Sequence, residues 1–262
     1  MSETEASAYQ RLRGHLAALR LPAAAETLPA ELDHARQASL SHTAFLERLL
    51  AVEVTAAEAR RQKSLAQFAA LPAPWRLDDF DFDAQPSVDR KLVTELASLR
   101  FLDDATNVLL IGPPGTGKTM LAVALGHAAV AAGHRTHYTT AADLAARCHK
   151  AAIEGRWATT MRFYAQPRLL IIDELGYLPM PAEGASALFQ VITQRHFKGS
   201  VILTTNLGIP SWGKIFDDPM VAAAMLDRLL HRSVVLNITG ESYRMRAHRA
   251  RASKLRSGDG TP

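Results

Sequence analysis

Eight residues, Gly112-Pro-Pro-Gly-Thr-Gly-Lys-Thr119, constrain this chain more than any other stretch. They follow the apolar run Asn107 to Ile111 and precede a helical, alanine-rich segment, the context in which G-x-x-x-x-G-K-[ST] forms a phosphate-binding loop. Gly112, Gly115 and Gly117 let backbone N–H groups turn toward an anion, with Pro113, Pro114 and Thr116 completing the loop, and the following helix adds the positive end of its dipole. Lys118 then reaches the β- and γ-phosphates and the Thr119 hydroxyl ligates Mg²⁺, while Met120 stands immediately beyond. The expected ligand is ATP with Mg²⁺.

The rest of the pattern supplies the fold around that loop. Short apolar runs at Asn107 to Ile111, Thr136 to Thr139, Leu169 to Ile172, Val201 to Thr205 and Val234 to Ile238 are separated by helical stretches. Such alternation predicts an α/β fold with a parallel sheet of about five strands and helices on both faces. Fifty-five residues after Lys118, the run Leu169-Leu-Ile-Ile ends in Asp173-Glu174, at the sheet edge where ligands of such folds bind. Asp173 is the candidate Mg²⁺ partner and Glu174 the candidate base for an attacking water. The run Val201-Ile-Leu-Thr-Thr ends similarly in Asn206, placed to orient that water or touch the γ-phosphate. Two later arginines, Arg228 and Arg244, are candidates for stabilising phosphate charge, although a solvated helix-surface cation is the commoner fate of an arginine.

The first 71 residues read differently. Tyr9, Leu12, Leu16 and Leu19 recur at helical intervals up to Pro22, and residues 43 to 69 continue in the same style, so a small all-helical unit is expected. Its narrow apolar faces suggest self-association or a partner. Residues 72 to 86, with prolines, acids and aromatics lacking a period, read as a linker, and 87 to 243 as the nucleotide-binding domain. Residues 244 to 256 carry Arg244, Arg246, Arg249, Arg251, Lys254 and Arg256 without an acid, either a solvated tail or a phosphate-neutralising run suited to duplex DNA.

Composition excludes several other classes. With 48% hydrophobic and 21% charged residues the chain is ordinary and globular, and its formal charge of +4 permits a polyanionic partner without requiring one. No run approaches a bilayer span and the first residues lack the regions of a signal peptide, so a cytoplasmic protein is expected. The single cysteine, Cys148, excludes an internal disulfide and reads as a small buried thiol; no histidine stands in a metal-ligand spacing.

With these motifs in place, the stretches FLERLL, LDDFDF, LLIIDELGYLPM, LFQVITQRHFKGSVILTTN, LDRLLH and ITGESYR make the chain resemble the IstB-like ATPases, the transposition helpers of insertion sequences. That resemblance implies an AAA+ P-loop fold, with Arg228 acting as a finger on a neighbouring subunit's ATP and Arg244 as a second sensor. It places LDDFDF near the adenine. It also implies ATP-driven assembly of a homo-oligomer on duplex DNA, where the transposase is recruited or stimulated. Met120 departs from the histidine expected there. Only 24 residues, 239 to 262, follow the last expected strand, so no separate C-terminal lid is expected. A helicase-loader adaptor, related in sequence, is the alternative; a small-molecule kinase would leave the Asp173-Glu174 and Asn206 strands unexplained.

Overall fold

The computed structural model describes residues 3–177, 180–214, 216, 219–243 and 245. They form two compact units, one ending at Ser64 and one beginning at Leu65. The second unit is built on five parallel strands: β1 (Asn107–Ile111), β2 (Thr136–Thr140), β3 (Leu169–Leu175), β4 (Ser200–Thr205) and β5 (Ser233–Asn237). Their spatial order is β2-β3-β4-β1-β5, so the loop after β1 lies beside the end of β4, which leads to Asn206, and one strand away from β3, which carries Asp173 and Glu174.

Alternate side chains of each inner strand serve opposite faces. Val108 and Leu110, Leu169 and Ile171, and Ile202 pack with Leu121 and Leu125 of α5 (Lys118–Ala131) and with Val93 and Leu96 of α4 (Arg90–Ala97). Leu109 and Ile111, Leu170 and Ile172, and Val201 and Leu203 instead face α6 (Ala141–Ile153), α7 (Trp157–Ala165), α8 (Ala182–Arg195) and α9 (Pro219–Leu230). Burial on both sides explains why these strands read as unbroken apolar runs in the sequence. The observed strands agree with the expected ones, β3 running on through Asp173 and Glu174.

Residues 72–86 are not a free tether. Leu77 begins a short 3-10 turn, Phe80 is buried and Leu77, Phe80 and Phe82 join the apolar layer under α4 and α5. The aperiodic sequence there reflects an extended strip moulded to a finished surface. Cys148 is fully buried on α6, and burial pushes its thiol up to about 11, so it stays protonated at neutral pH. Arg195, at the end of α8, is 1% exposed and donates to the carbonyls of Tyr164, Ala165, Arg168 and Ser200. Burial pulls its pKa down to about 9, yet it remains a cation that ties the end of α7 to the start of β4.

The first unit comprises α1 (Glu3–Ala18), α2 (Pro22–Gln37) and α3 (His42–Ala69) as far as Ser64. Pro22 opens α2 in place of merely ending α1, as proline tolerates the first helical position. Leu16 packs with Leu28 and Leu49, whereas Leu12 and Leu19, expected on the same buried face, are exposed. The core is therefore a single small cluster. Among the described residues no helix is long and apolar enough to cross a membrane.

The start of α2 lacks a side-chain cap of its own, and Glu53 of α3 accepts the Ala24 N–H at 2.9 Å while pairing with Arg60 at 2.6 Å. The Ala24 hydrogen bond, assisted by Arg60, holds the Glu53 carboxyl below its usual range. A lowered folded pKa means stability that is present above the ordinary glutamate range and lost as pH falls through the folded value. Acid titration of the helical signal of the whole protein should therefore show a loss below about pH 4 that Glu53→Gln reduces; an identical acid transition in both proteins would contradict this role.

Candidate nucleotide site

β1 delivers the chain to the loop, and two glycines make its path feasible. Gly115 has φ +80 and Gly117 φ +95, the left-handed region that side chains other than glycine rarely adopt. A Cβ at Gly115 would lie 2.1 Å from Ser242 Oγ, and one at Gly117 would lie 2.6 Å from the Phe80 ring. The loop is thus sandwiched between residues 80 and 242. Thr116 is buried and braces the turn by donating to the Pro113 carbonyl at 2.9 Å. Lys118, 4% exposed, opens α5 and donates to the carbonyls of Gly112 and Pro113, both at 2.7 Å, which keeps its ammonium inside the loop.

At the end of β3, Asp173 is 1% exposed and its carboxylate is held by three hydroxyl groups. Thr119 donates to Oδ1 at 3.1 Å, Thr204 donates to the same oxygen, and Tyr138 donates to Oδ2 at 2.7 Å. Burial and the neighbouring Asp173 charge hold the Tyr138 phenol above its ordinary range, so it remains a donor. Thr119 and Asp173 together form an all-oxygen donor pair, the hard chemistry that Mg²⁺ selects. Glu174 is exposed beside them, in a left-handed conformation with φ +63.

A pocket of about 400 Å³ joins these parts, bounded by Pro114 to Met120, Glu174 and Tyr177 on one side and by Trp75, Phe80, Gln85 and Tyr243 on the other. Its size suits a nucleotide. The LDDFDF segment contributes Asp79, Phe80 and Asp81 to the wall. Asn206 follows β4 directly, beside the Thr205 carbonyl that accepts the Gly112 N–H at 3.1 Å, and its Oδ1 is buried without a hydrogen-bond partner. Such an orphaned polar atom is unusual and favours a polar ligand nearby. Arg228 lies away from this pocket: its Nη1 donates to Ala224 of its own helix at 2.9 Å and its guanidinium rests 4.8 Å from the Phe189 ring. Arg244 and the basic run from 246 onward lie outside the described residues, as does the question of a C-terminal lid.

Sequence reasoning missed Tyr138, Thr204, Gln85 and the contact of residues 238–243 with the loop. Tyr138 and Thr204 sit in strands that were legible, but which hydroxyls meet Asp173 depends on strand order. For the last contact, Gln85 Nε2 donates to the Glu241 carbonyl at 3.0 Å and the Tyr243 N–H donates to the Gly115 carbonyl at 2.9 Å. Residues 238–243 are thereby fastened to the phosphate loop.

The strand order, the loop after β1 and the acids ending β3 define an AAA+ P-loop nucleotide-binding protein. Solved structures agree in fold: AMPPCP-bound DnaA from Aquifex aeolicus superposes with TM-score 0.54 at 20% identity, covering 71% of this chain and 57% of that one. DnaI gives TM-score 0.54 at 16% identity over 63% of this chain and 92% of its own. The sequence goes further. Residues 14–252 match the family described as IstB-like ATP binding protein, and the chain belongs to that family. It is 42% identical over 245 residues to the ATP-binding protein of insertion sequence IS5376 from Geobacillus stearothermophilus, covering 94% of this chain and 98% of that one. It is 45% identical over 218 residues to the ATP-binding protein of insertion sequence IS21 from Pseudomonas aeruginosa, covering 83% and 82%. The family membership supports ATP as ligand.

Gly115 tests the sandwich. Gly115→Ala adds a methyl group against Ser242 at a positive φ, so affinity for a fluorescent ATP analogue should fall at least about tenfold, an energy change of roughly 1.4 kcal/mol, within the range of a strained backbone. Unaltered affinity in a titration would show that Ser242 yields freely.

Proposed function

We propose that this protein is an ATP-hydrolysing helper of DNA transposition that works in the cytoplasm as a homo-oligomer on duplex DNA and recruits or stimulates a transposase. The observation carrying this reading is the convergence of Lys118, Thr119 and Glu174 on one pocket, with the buried Asp173 hydrogen-bonded to Thr119 behind it, in a chain whose relatives are ATP-binding proteins of insertion sequences.

In this reading the loop N–H groups and Lys118 bind the phosphates, and Lys118 exchanges its contacts with the loop carbonyls for phosphate oxygens. Thr119 and Asp173 would hold Mg²⁺, which supplies neutralisation of charge on the β- and γ-phosphates. Glu174 Oε accepts a proton from a water that Asn206 orients for attack on the γ-phosphorus. Closing the pocket against bulk water is the work of Trp75, Phe80 and Tyr243.

Arg228 cannot serve the pocket of its own chain from where it lies, and this supports a role toward the nucleotide of a neighbouring copy. The ATP sites would then fall between subunits. Arg244, next to the segment fastened on the phosphate loop, is the proposed second sensor, and the basic run 244 to 256 the proposed contact to DNA phosphates, sequence-neutral and salt-dependent.

Two experiments test the reading. Lys118→Ala should abolish ATP binding, whereas Glu174→Gln should bind ATP and hydrolyse it at least about 10²-fold more slowly, the loss expected for a general base; wild-type turnover by Glu174→Gln would remove the base from the scheme. For the finger, mixing Arg228→Ala with Lys118→Ala proteins should restore part of the DNA-stimulated ATPase rate that neither has alone. No recovery at any mixing ratio, or a monomer indifferent to DNA and ATP in electron micrographs, would overturn the shared site.

A further inference from the structure

β3 and β4 pair regularly until Ile172 meets Leu203, and the next pair is Leu175 with Thr205. Two residues of β3, Asp173 and Glu174, therefore stand against the single residue Thr204. This is a β-bulge, a device that re-aims side chains beside active sites. It turns Asp173 inward, 1% exposed, and Glu174 outward to the pocket, at the cost of a left-handed backbone, φ +63, for a residue that is not glycine.

Inside a bulge the ladder no longer satisfies every backbone group. Here the Glu174 N–H donates to Thr204 Oγ1 at 3.0 Å, and the same hydroxyl donates its one proton to Asp173 Oδ1. A hydroxyl has one proton to give and lone pairs to receive, so this arrangement leaves no ambiguity about direction. Thr204 is itself 1% exposed, and its neighbour Thr205 pins the strand further by donating to the Leu175 carbonyl at 2.8 Å. Valine at 204 would have the same shape and strand preference without either bond.

We propose that Thr204 is the positioning residue of the hydrolytic step: its hydroxyl fixes the bulge that aims Glu174 at the attacking water and orients Asp173 toward the Thr119 hydroxyl. The inference rests on the reading of Glu174 as base and adds the part that sets its direction. Because β4 continues through Thr205 to Asn206, one strand end carries both the group proposed to orient the water and the group that aims the base. Tyr138 supports Asp173 at its other oxygen, and among the described residues Thr204 is the side chain that hydrogen-bonds both to Asp173 and to the Glu174 backbone.

The experiment compares wild type, Thr204→Val, Thr204→Ser and Glu174→Gln for steady-state ATP hydrolysis with duplex DNA and Mg²⁺, and for binding of a fluorescent ATP analogue. Thr204→Val should lower kcat by about 10²-fold, the effect of misplacing a reacting group by roughly an ångström. Its affinity for the nucleotide should stay within about threefold of wild type, and Thr204→Ser, which keeps the hydroxyl, should recover most of the rate. Thr204→Ala, which removes the hydroxyl and adds no bulk, carries the same expectation should the valine protein not fold. A purely structural role would lower binding and turnover together and would not discriminate serine from valine. Thr204→Val turning over at the wild-type rate, or losing kcat only in proportion to binding, overturns the proposal. Wild type that binds ATP but does not hydrolyse it overturns the reading of Glu174 and this inference with it, and the two failures are told apart by the wild-type rate alone.

Discussion

A carboxylate removed from water is costly unless its charge is met, and Asp173 poses that problem at the end of a central strand of this sheet. Three hydroxyls from three different elements meet it: Thr119 at the start of α5, Tyr138 on β2 and Thr204 on β4. Each can reach only because the strand order sets β3 between β2 and β4, with the phosphate loop rising from β1 beyond. Satisfying one buried acid thus fixes the relative positions of most of the parts proposed to handle phosphate. A cation at Thr119 would add to this collar without rearranging it, because the threonine oxygen retains lone pairs after giving its proton to Asp173.

The glycines of the loop answer a second constraint. Gly115 and Gly117 take left-handed backbone conformations, and each also leaves room for a neighbour, Ser242 at one and Phe80 at the other. The phosphate loop is consequently gripped by a segment from before α4 and by another from after β5. Gln85 and Ser87 extend the same grip, donating to the carbonyls of Glu241 and Thr239. Whatever a bound nucleotide does to the loop is felt directly by residues 238–243, one residue short of Arg244.

Much of this was legible in the sequence, for physical reasons that differ by feature. The inner strands announced themselves because burial on both faces leaves no polar alternation, and the loop because its glycines and Lys118-Thr119 have few other uses together. Asp173, Glu174 and Asn206 stand out as candidates because they end those strands. What stayed hidden depends on pairing across long separations: Thr204 lies 31 residues from Asp173 and Tyr138 lies 35, and nothing in THYTT or VILTTN says which hydroxyl faces an acid. Residues 72–86 looked like a tether because strips that line a pocket have no period. Glu53 escaped notice because it serves as the missing cap of another helix, and Arg195 because a buried guanidinium whose two terminal nitrogens donate to carbonyls has no sequence signature.

The position of Arg228 bears on what a single chain can accomplish. Its guanidinium is spent on Phe189 and on its own helix, while the pocket carries Lys118 and no arginine among the described residues lining it. Charge building on the γ-phosphate in the transition state exceeds what one lysine answers well, and arginine, with its fixed fork of donors, is the side chain suited to supply the rest. An isolated subunit on the proposed reading is therefore a binder that hydrolyses poorly, and a stacked one is complete. On the same reading the bulge at Thr204 would aim the base within a subunit, and the finger would arrive only when two subunits meet. That division would give hydrolysis a dependence on assembly, which is what a protein needs if ATP is to report that enough copies stand together on DNA.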